Sequence, residues 1–184
     1  VGDVEYNKNK AIECIQSAKQ KKADLVVFPE LFLLGCPFGD ILSRYPHIAR
    51  QCEKALNEIK KYCENISVLI GYPEINKNNF EKPYYNSICY IKNASIERSI
   101  RKTLCANYCE FNDYRYFESA DVDIDNRIIE LNGEKLGIAI CEDSWNDFDF
   151  FERNFYKVDP ISSIAPHVDV IICPSSSSSR ERKV

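Results

Sequence analysis

Apolar side chains recur at helical spacing in two clear stretches of this 184-residue chain. Ala11, Ile12, Ile15 and Ala18 mark one face over residues 9–22, and Lys19, Lys21 and Lys22 follow where cations suit the helix dipole. Ile48, Cys52, Ala55, Leu56, Ile59 and Cys63 mark a second amphipathic helix, and a shorter one is expected over residues 156–165. The runs Leu25-Val-Val-Phe, Ser67-Val-Leu-Ile-Gly and Val168-Asp-Val-Ile-Ile-Cys predict strands buried on both faces. Asn86–Ile91 and Ser95–Arg101 read as a hairpin around Lys92-Asn-Ala. Arg127–Leu131 and Lys135–Ile140 form another around Asn132-Gly133. Residues 103–125 are aromatic, polar and without period, Pro37 and Pro46 punctuate a loop, and Asn76-Lys-Asn-Asn reads as a turn. The order of helix, strand, helix, strand, hairpins, helix, strand predicts a single α/β domain with helices outside a mixed sheet.

Composition narrows the function classes. With 45% hydrophobic and 28% charged residues the chain is ordinary for a soluble globular protein. No apolar run approaches the roughly 20 residues of a membrane span, and no N-terminal stretch reads as a secretory signal. A net charge of −4 argues against nucleic acid or an anionic membrane as partner. Nine cysteines without a CxxC pair, and only two histidines, disfavour a zinc site. Cys14, Cys52, Cys63, Cys89 and Cys173 fall in apolar periodic segments and read as small buried hydrophobes. Together these features describe a reduced, cytoplasmic protein without a metal. The absence of Met and the Ser175–Ser179 run near the end lead us to expect part of a longer chain.

Three chemically capable side chains end apolar runs. Glu30 closes Asp24-Leu-Val-Val-Phe-Pro-Glu, Lys102 follows Ser95–Arg101, and Cys141 closes Gly137-Ile-Ala-Ile-Cys. Strand ends are where α/β folds gather reactive groups. Glu142 and Asp143 end the last apolar run at once, so the thiol is expected to be accessible. A thiol with a pKa of roughly 8.5 needs a base or a cation to attack a carbonyl, and Glu30 and Lys102 are such groups. His47 and His167 lie in no comparable setting and read as surface or packing residues.

Glu, Lys and Cys at strand ends, in that order, resemble the signature of the nitrilase, or carbon–nitrogen hydrolase, superfamily. Phe28–Leu42, Lys102–Tyr108 with Phe111 and Arg115-Tyr-Phe, and Gly137–Trp145 resemble the glutaminase domain of glutamine-dependent NAD synthetases. Val1-Gly-Asp matches that family just after its first strand, and Cys173-Pro-Ser-Ser-Ser-Ser resembles its Asn-Pro-Ser-Ala-Ser substrate loop. The resemblance implies an αββα sandwich of the nitrilase type, here a truncated half of it, with the first strand and the C-terminal part outside residues 1–184. It implies Glu30 as base, Cys141 as nucleophile and Lys102 as oxyanion partner. Glu142 would hold the amino group of glutamine, and Tyr108 and Ser177 would line the same pocket. Asp113 stands where the family usually has a second Glu, Cys36 where it usually has Tyr, and Cys105 and Cys109 where Pro or Gly is commoner. By the same resemblance ammonia passes to a synthetase domain in cis, ATP and Mg belong to that domain, and this part needs no cofactor. A homo-oligomer is expected, and the 184-residue piece alone is expected to be poorly soluble or inactive. The residues also suit a stand-alone amidase for another small amide, or a catalytically dead assembly module.

Overall fold

A computed structural model describes residues 1–108, 111–150 and 152–177. In chain order its elements are α1 Val4–Gln20, β1 Leu25–Val27, α2 Ile41–Arg44, α3 His47–Ile59, β2 Ser67–Ile75, β3 Tyr84–Lys92, β4 Ser95–Arg101 and β5 Asn107–Tyr108. They continue with β6 Phe111–Asn112, α4 Asp113–Tyr116, α5 Ile124–Arg127, β7 Ile128–Leu131, β8 Glu134–Ile138, α6 Pro160–Ile164 and β9 Val170–Ile172. One sheet has the order β1-β2-β3-β4, parallel at β1/β2 and antiparallel elsewhere. A second has the order β7-β8-β9, antiparallel and then parallel.

Side-chain alternation along β2 and β3 explains the layering. Val68, Ile70, Cys89 and Ile91 face one core with Ala11 and Ile15 of α1 and Cys52, Leu56 and Ile59 of α3. Leu69, Ile88 and Tyr90 face the other, against Ile129 of β7 and Leu136 and Ile138 of β8. Ile164 of α6 lies on the far side of the second sheet, where a Cβ on Gly137 would meet it at 2.5 Å. Helix, sheet, sheet and helix are thus stacked in a mixed α/β sandwich.

Both hairpins form as the pattern predicts. Their turn residues Asn93 (φ +48°), Ala94 (+60°), Asn132 (+53°) and Gly133 (+88°) adopt the left-handed pairs that match strand twist. Other expectations need correction. Helix α1 begins at Val4, because the Asp3 carboxylate caps Tyr6 N at 2.9 Å and Lys8 extends the buried stripe. The Lys8 ammonium bonds Glu5 and Glu58 at 2.7 Å, so its polar appearance hides an inward position. β1 and β9 are edge strands, so Val27 and Val170 are exposed and their neighbours only half-buried. For the same reason Cys173 is exposed; Cys14 is half-buried, whereas Cys52, Cys63 and Cys89 are buried. The helix expected over 156–165 is confined to α6, since Asp159 caps Ser162 N at 3.0 Å and Pro160 occupies the first turn.

A buried ion pair joins the two sheets. Arg127, 1% exposed at the end of α5, reaches Asp143 Oδ2 at 2.9 Å and Ile138 O at 3.2 Å. Its other nitrogen reaches Arg101 O at 2.6 Å and Thr103 Oγ1 at 2.7 Å. Asp143 also accepts from the N–H groups of Thr103 (3.0 Å), Leu104 (2.8 Å) and Ile140 (3.0 Å). The chain beyond β4 is thereby fastened to the chain beyond β8. Asp143→Asn leaves the guanidinium buried without its counter-ion, and we expect about 3–5 kcal/mol lost from the unfolding free energy in urea. The double variant Arg127→Met/Asp143→Leu should lose less than the sum of the single changes, whereas additive losses would exclude coupling.

Candidate active site

Two of the three strand-end residues, Glu30 and Cys141, are delivered by distorted backbone. After β1, Phe28 N still bonds Leu69 O at 2.8 Å, and Leu33 N bonds Gly71 O at 3.0 Å. Between them Pro29, Glu30 and Leu31 bulge across β2, with Leu31 at φ +50°. Only glycine fits beneath the bulge, because a Cβ at Gly71 would lie 2.3 Å from Leu31 N and 2.4 Å from Pro29 O. Lys102 follows β4 directly and is held by its N–H on Asn86 O at 2.8 Å. Cys141 follows β8 at φ +45°, an unusual value for a residue with a side chain, and opens a short 3-10 turn over Cys141–Ser144. Asp143, in that turn, binds Ile140 N and so fixes the bend.

The three side chains meet. Lys102 Nζ donates to Glu30 Oε1 and to Asp113 Oδ2, both at 2.6 Å, and all three residues are buried. The Cys141 thiol lies close enough to the Glu30 carboxylate for that charge to raise it, and to the Lys102 ammonium for that charge to lower it. Asn86 Nδ2 donates to Glu30 Oε1 at 2.8 Å, and Ser176 N to Oε2 at 3.2 Å. The expected accessible thiol is instead 7% exposed. The chain beyond β9 folds over it: Pro174 O accepts Cys141 N at 3.0 Å, and Ser176 Oγ bonds Glu30 O at 2.7 Å.

Charge in this small volume sets the protonation states. Burial pulls the Lys102 ammonium down, but Glu30 and Asp113 outweigh it and hold the group well above its ordinary value. Burial raises the Asp113 carboxyl, and Lys102 opposes the rise. Burial and the Glu30 charge push the Cys141 thiol up to about 11, against the pull of Lys102. At neutral pH the sulfur therefore rests as a thiol beside a carboxylate that can take its proton.

The remaining expected residues are distributed as follows. Glu142 is buried next to Cys141 and accepts the Tyr108 hydroxyl at 2.7 Å. Ser177 Oγ stands 4.0 Å from Cys141 Sγ. Cys36 is half-buried, and its thiol is pushed up to about 11, first by burial and then by the Glu30 and Asp113 charges. Cys105 is buried and raised to about 12 chiefly by burial; Cys109 lies outside the described residues. His47 and His167 are exposed and lie apart from this cluster. Sequence reasoning missed Asn86, Ser176, the Arg127–Asp143 pair and Tyr156, whose hydroxyl bonds Glu142 Oε1 at 2.8 Å. Asn86 carried a signal, a carboxamide inside an otherwise apolar strand; Tyr156 carried none. Beyond Glu142 opens a cavity of about 840 Å³, walled by Tyr108, Tyr114, Trp145, Phe155 and Tyr156.

A buried thiol beside a carboxylate that is paired with an ammonium can carry acyl transfer, and known proteins point the same way. A sequence model for the family described as carbon-nitrogen hydrolase matches residues 1–148. The glutamine-dependent NAD(+) synthetase of Aquifex aeolicus is 34% identical over 145 residues, which is 79% of this chain and 24% of that protein. That of Xanthomonas campestris is 36% identical over 146 residues, 79% of this chain and 25% of that protein. The chain thus spans about a quarter of the length of these relatives. The structure of glutamine-dependent NAD+ synthetase from Acinetobacter baumannii superposes with a TM-score of 0.83 at 26% identity, covering 100% of this chain and 31% of that one. An amidase of the nitrilase superfamily from Nesterenkonia shares the fold, with a TM-score of 0.77 at 15% identity over 98% of this chain and 62% of that one. By the match of the family model to residues 1–148, the chain belongs to the carbon–nitrogen hydrolase family.

Proposed function

We propose that this chain is the glutamine-hydrolysing part of a glutamine-dependent NAD synthetase. The observation that carries the reading is a buried Glu30 carboxylate that bonds the Lys102 ammonium at 2.6 Å and lies near enough to the buried Cys141 thiol to raise it. Glutamine is favoured over another small amide because the relatives at 34% and 36% identity bear that synthetase name, whereas the amidase shares only the fold. Glu142, buried one residue from the thiol, suits the α-ammonium of glutamine, and Tyr108 and Ser177 would line the same pocket.

The chemistry follows from the contacts. Glu30 takes the thiol proton as Cys141 sulfur attacks the side-chain amide carbon, and a tetrahedral oxyanion forms. The Cys141 N–H is committed to Pro174 O, so it does not serve that oxyanion. Lys102 has three N–H donors; two bind Glu30 and Asp113, and the third can stabilise the new charge. Asp113 keeps the ammonium charged and in place. Glu30 returns its proton to the departing nitrogen, ammonia leaves, and a glutamyl thioester remains. Water, deprotonated by Glu30, then cleaves the thioester to glutamate and restores the thiol. Ammonia would pass to a synthetase domain in cis that binds ATP and Mg and amidates deamido-NAD; the chemistry at Cys141 calls on neither. We place the protein in the cytoplasm as a homo-oligomer, in keeping with its free thiols. Among the described residues no helix is long and apolar enough to cross a membrane.

In the full-length protein, Cys141→Ala should lower ammonia release from glutamine by about 10³-fold or more. Amidation of deamido-NAD with added ammonia should persist, and glutamine hydrolysis at the wild-type rate would contradict the reading. Alkylation of Cys141 by iodoacetamide without substrate, followed by peptide mass spectrometry, tests the resting thiol. Because the folded thiol titrates near 11, its rate should keep rising with pH to that value, past the ordinary pKa of about 8.5. Glu30→Gln removes a charge that raises this pKa, so its profile should shift to lower pH even as glutamine turnover is lost. A wild-type plateau below pH 9 would contradict the assignment.

A further inference from the structure

Beside the cluster around the sulfur, the buried Glu142 carboxylate has no counter-ion among the described residues. Glu142 is 5% exposed, and among the described residues its oxygens are bonded by hydroxyl groups and by no cation. Tyr108 donates to Oε2 at 2.7 Å and Tyr156 to Oε1 at 2.8 Å. Lys102, the nearby buried ammonium, is already bonded to Glu30 and Asp113. Burial and the bonds to Glu142 push both phenols up, so both remain protonated donors.

Tyr156 reaches this position through a dedicated anchor. It lies in irregular chain between the Cys141 turn and α6, where nothing in secondary structure would hold it. Asn146, 1% exposed, donates its amide to Tyr156 O at 3.0 Å and Val158 O at 2.7 Å, and accepts Tyr156 N at 3.3 Å. One buried carboxamide thus fixes the backbone on both sides of the tyrosine. Its ring walls the aromatic cavity and its hydroxyl reaches the floor.

We infer that Tyr156 is a specificity-determining residue that selects substrates carrying an ammonium group next to the reacting amide arm; this rests on the glutamine reading above. A phenol that gives its hydrogen to Glu142 keeps its oxygen lone pairs for another donor. Glu142 and the two phenol oxygens therefore present acceptors only, which matches the three N–H donors of an ammonium ion. The aromatic walls favour the same cation. A substrate without that group leaves a buried carboxylate uncompensated and is rejected.

The test is Tyr156→Phe in the full-length protein, with ammonia release measured from L-glutamine and from glutaramate, which is glutamine without its amino group. KM for glutamine should rise about tenfold with kcat within about twofold, as for loss of one hydrogen bond to a charged site. The preference for glutamine over glutaramate should fall by about the same factor. An unchanged preference, or equal weakening of both compounds, overturns the inference while leaving the glutaminase reading intact. Ammonia release from neither compound by the wild type removes that reading, and the role of Tyr156 with it.

Discussion

Asp143 is the point on which the site depends, because one carboxylate fixes the strand ends that carry Lys102 and Cys141. It accepts the N–H groups of Thr103 and Leu104, immediately after Lys102, and of Ile140, immediately before Cys141. Arg127 compensates its charge and gives three further hydrogens to Arg101 O, Thr103 Oγ1 and Ile138 O, parts of the same two segments. In a low-dielectric interior a network in which every member is satisfied is rigid, and a partly satisfied one is unfavourable. The placement of ammonium and sulfur thereby rests on a hydrogen-bonded brace between the two sheets.

Charge balance around that brace explains the chemistry. Two buried cations, Arg127 and Lys102, stand against four buried carboxylates, Glu30, Asp113, Glu142 and Asp143. Burial and the Glu30 charge keep Cys141 as a thiol, so the site waits with its proton on sulfur. The surplus of negative charge favours a substrate that brings a positive charge. Backbone strain serves the same end: Leu31 and Cys141 both take left-handed conformations, each costing about 1–3 kcal/mol. Gly71 lets the Glu30 bulge approach β2, and the Pro174 carbonyl holds the Cys141 bend.

The strands, most helices and the strand-end positions of the reactive trio were legible from local pattern, which predicted one mixed sheet; the second sheet was expected only from the family resemblance. Alternating or continuous apolar runs marked the strands, Asn132-Gly133 marked a hairpin, and the abrupt change from Ile140 to Glu142 marked a strand end. What escaped depends on contacts distant in sequence. Lys8 and Arg127 read as surface charges until their partners, Glu58 and Asp143, are brought to them by packing. The thiol read as accessible because the residues that cover it, Pro174 and Ser176, are remote in the chain and belong to a serine run with no period. Tyr156 was invisible for the same reason: its place is set by Asn146 and by no helix or strand.

At the centre of this account stands a covalent glutamyl group on one sulfur, made and removed with the help of Glu30 and Lys102. Mixing the full-length protein with L-glutamine, quenching in acid within milliseconds and mapping peptides by mass spectrometry would detect it directly. The account predicts a glutamyl mass on the peptide containing Cys141 and on no other cysteine, present during turnover and gone once glutamine is exhausted. Ammonia release without any acyl mass at Cys141, or with that mass on another residue, would contradict it.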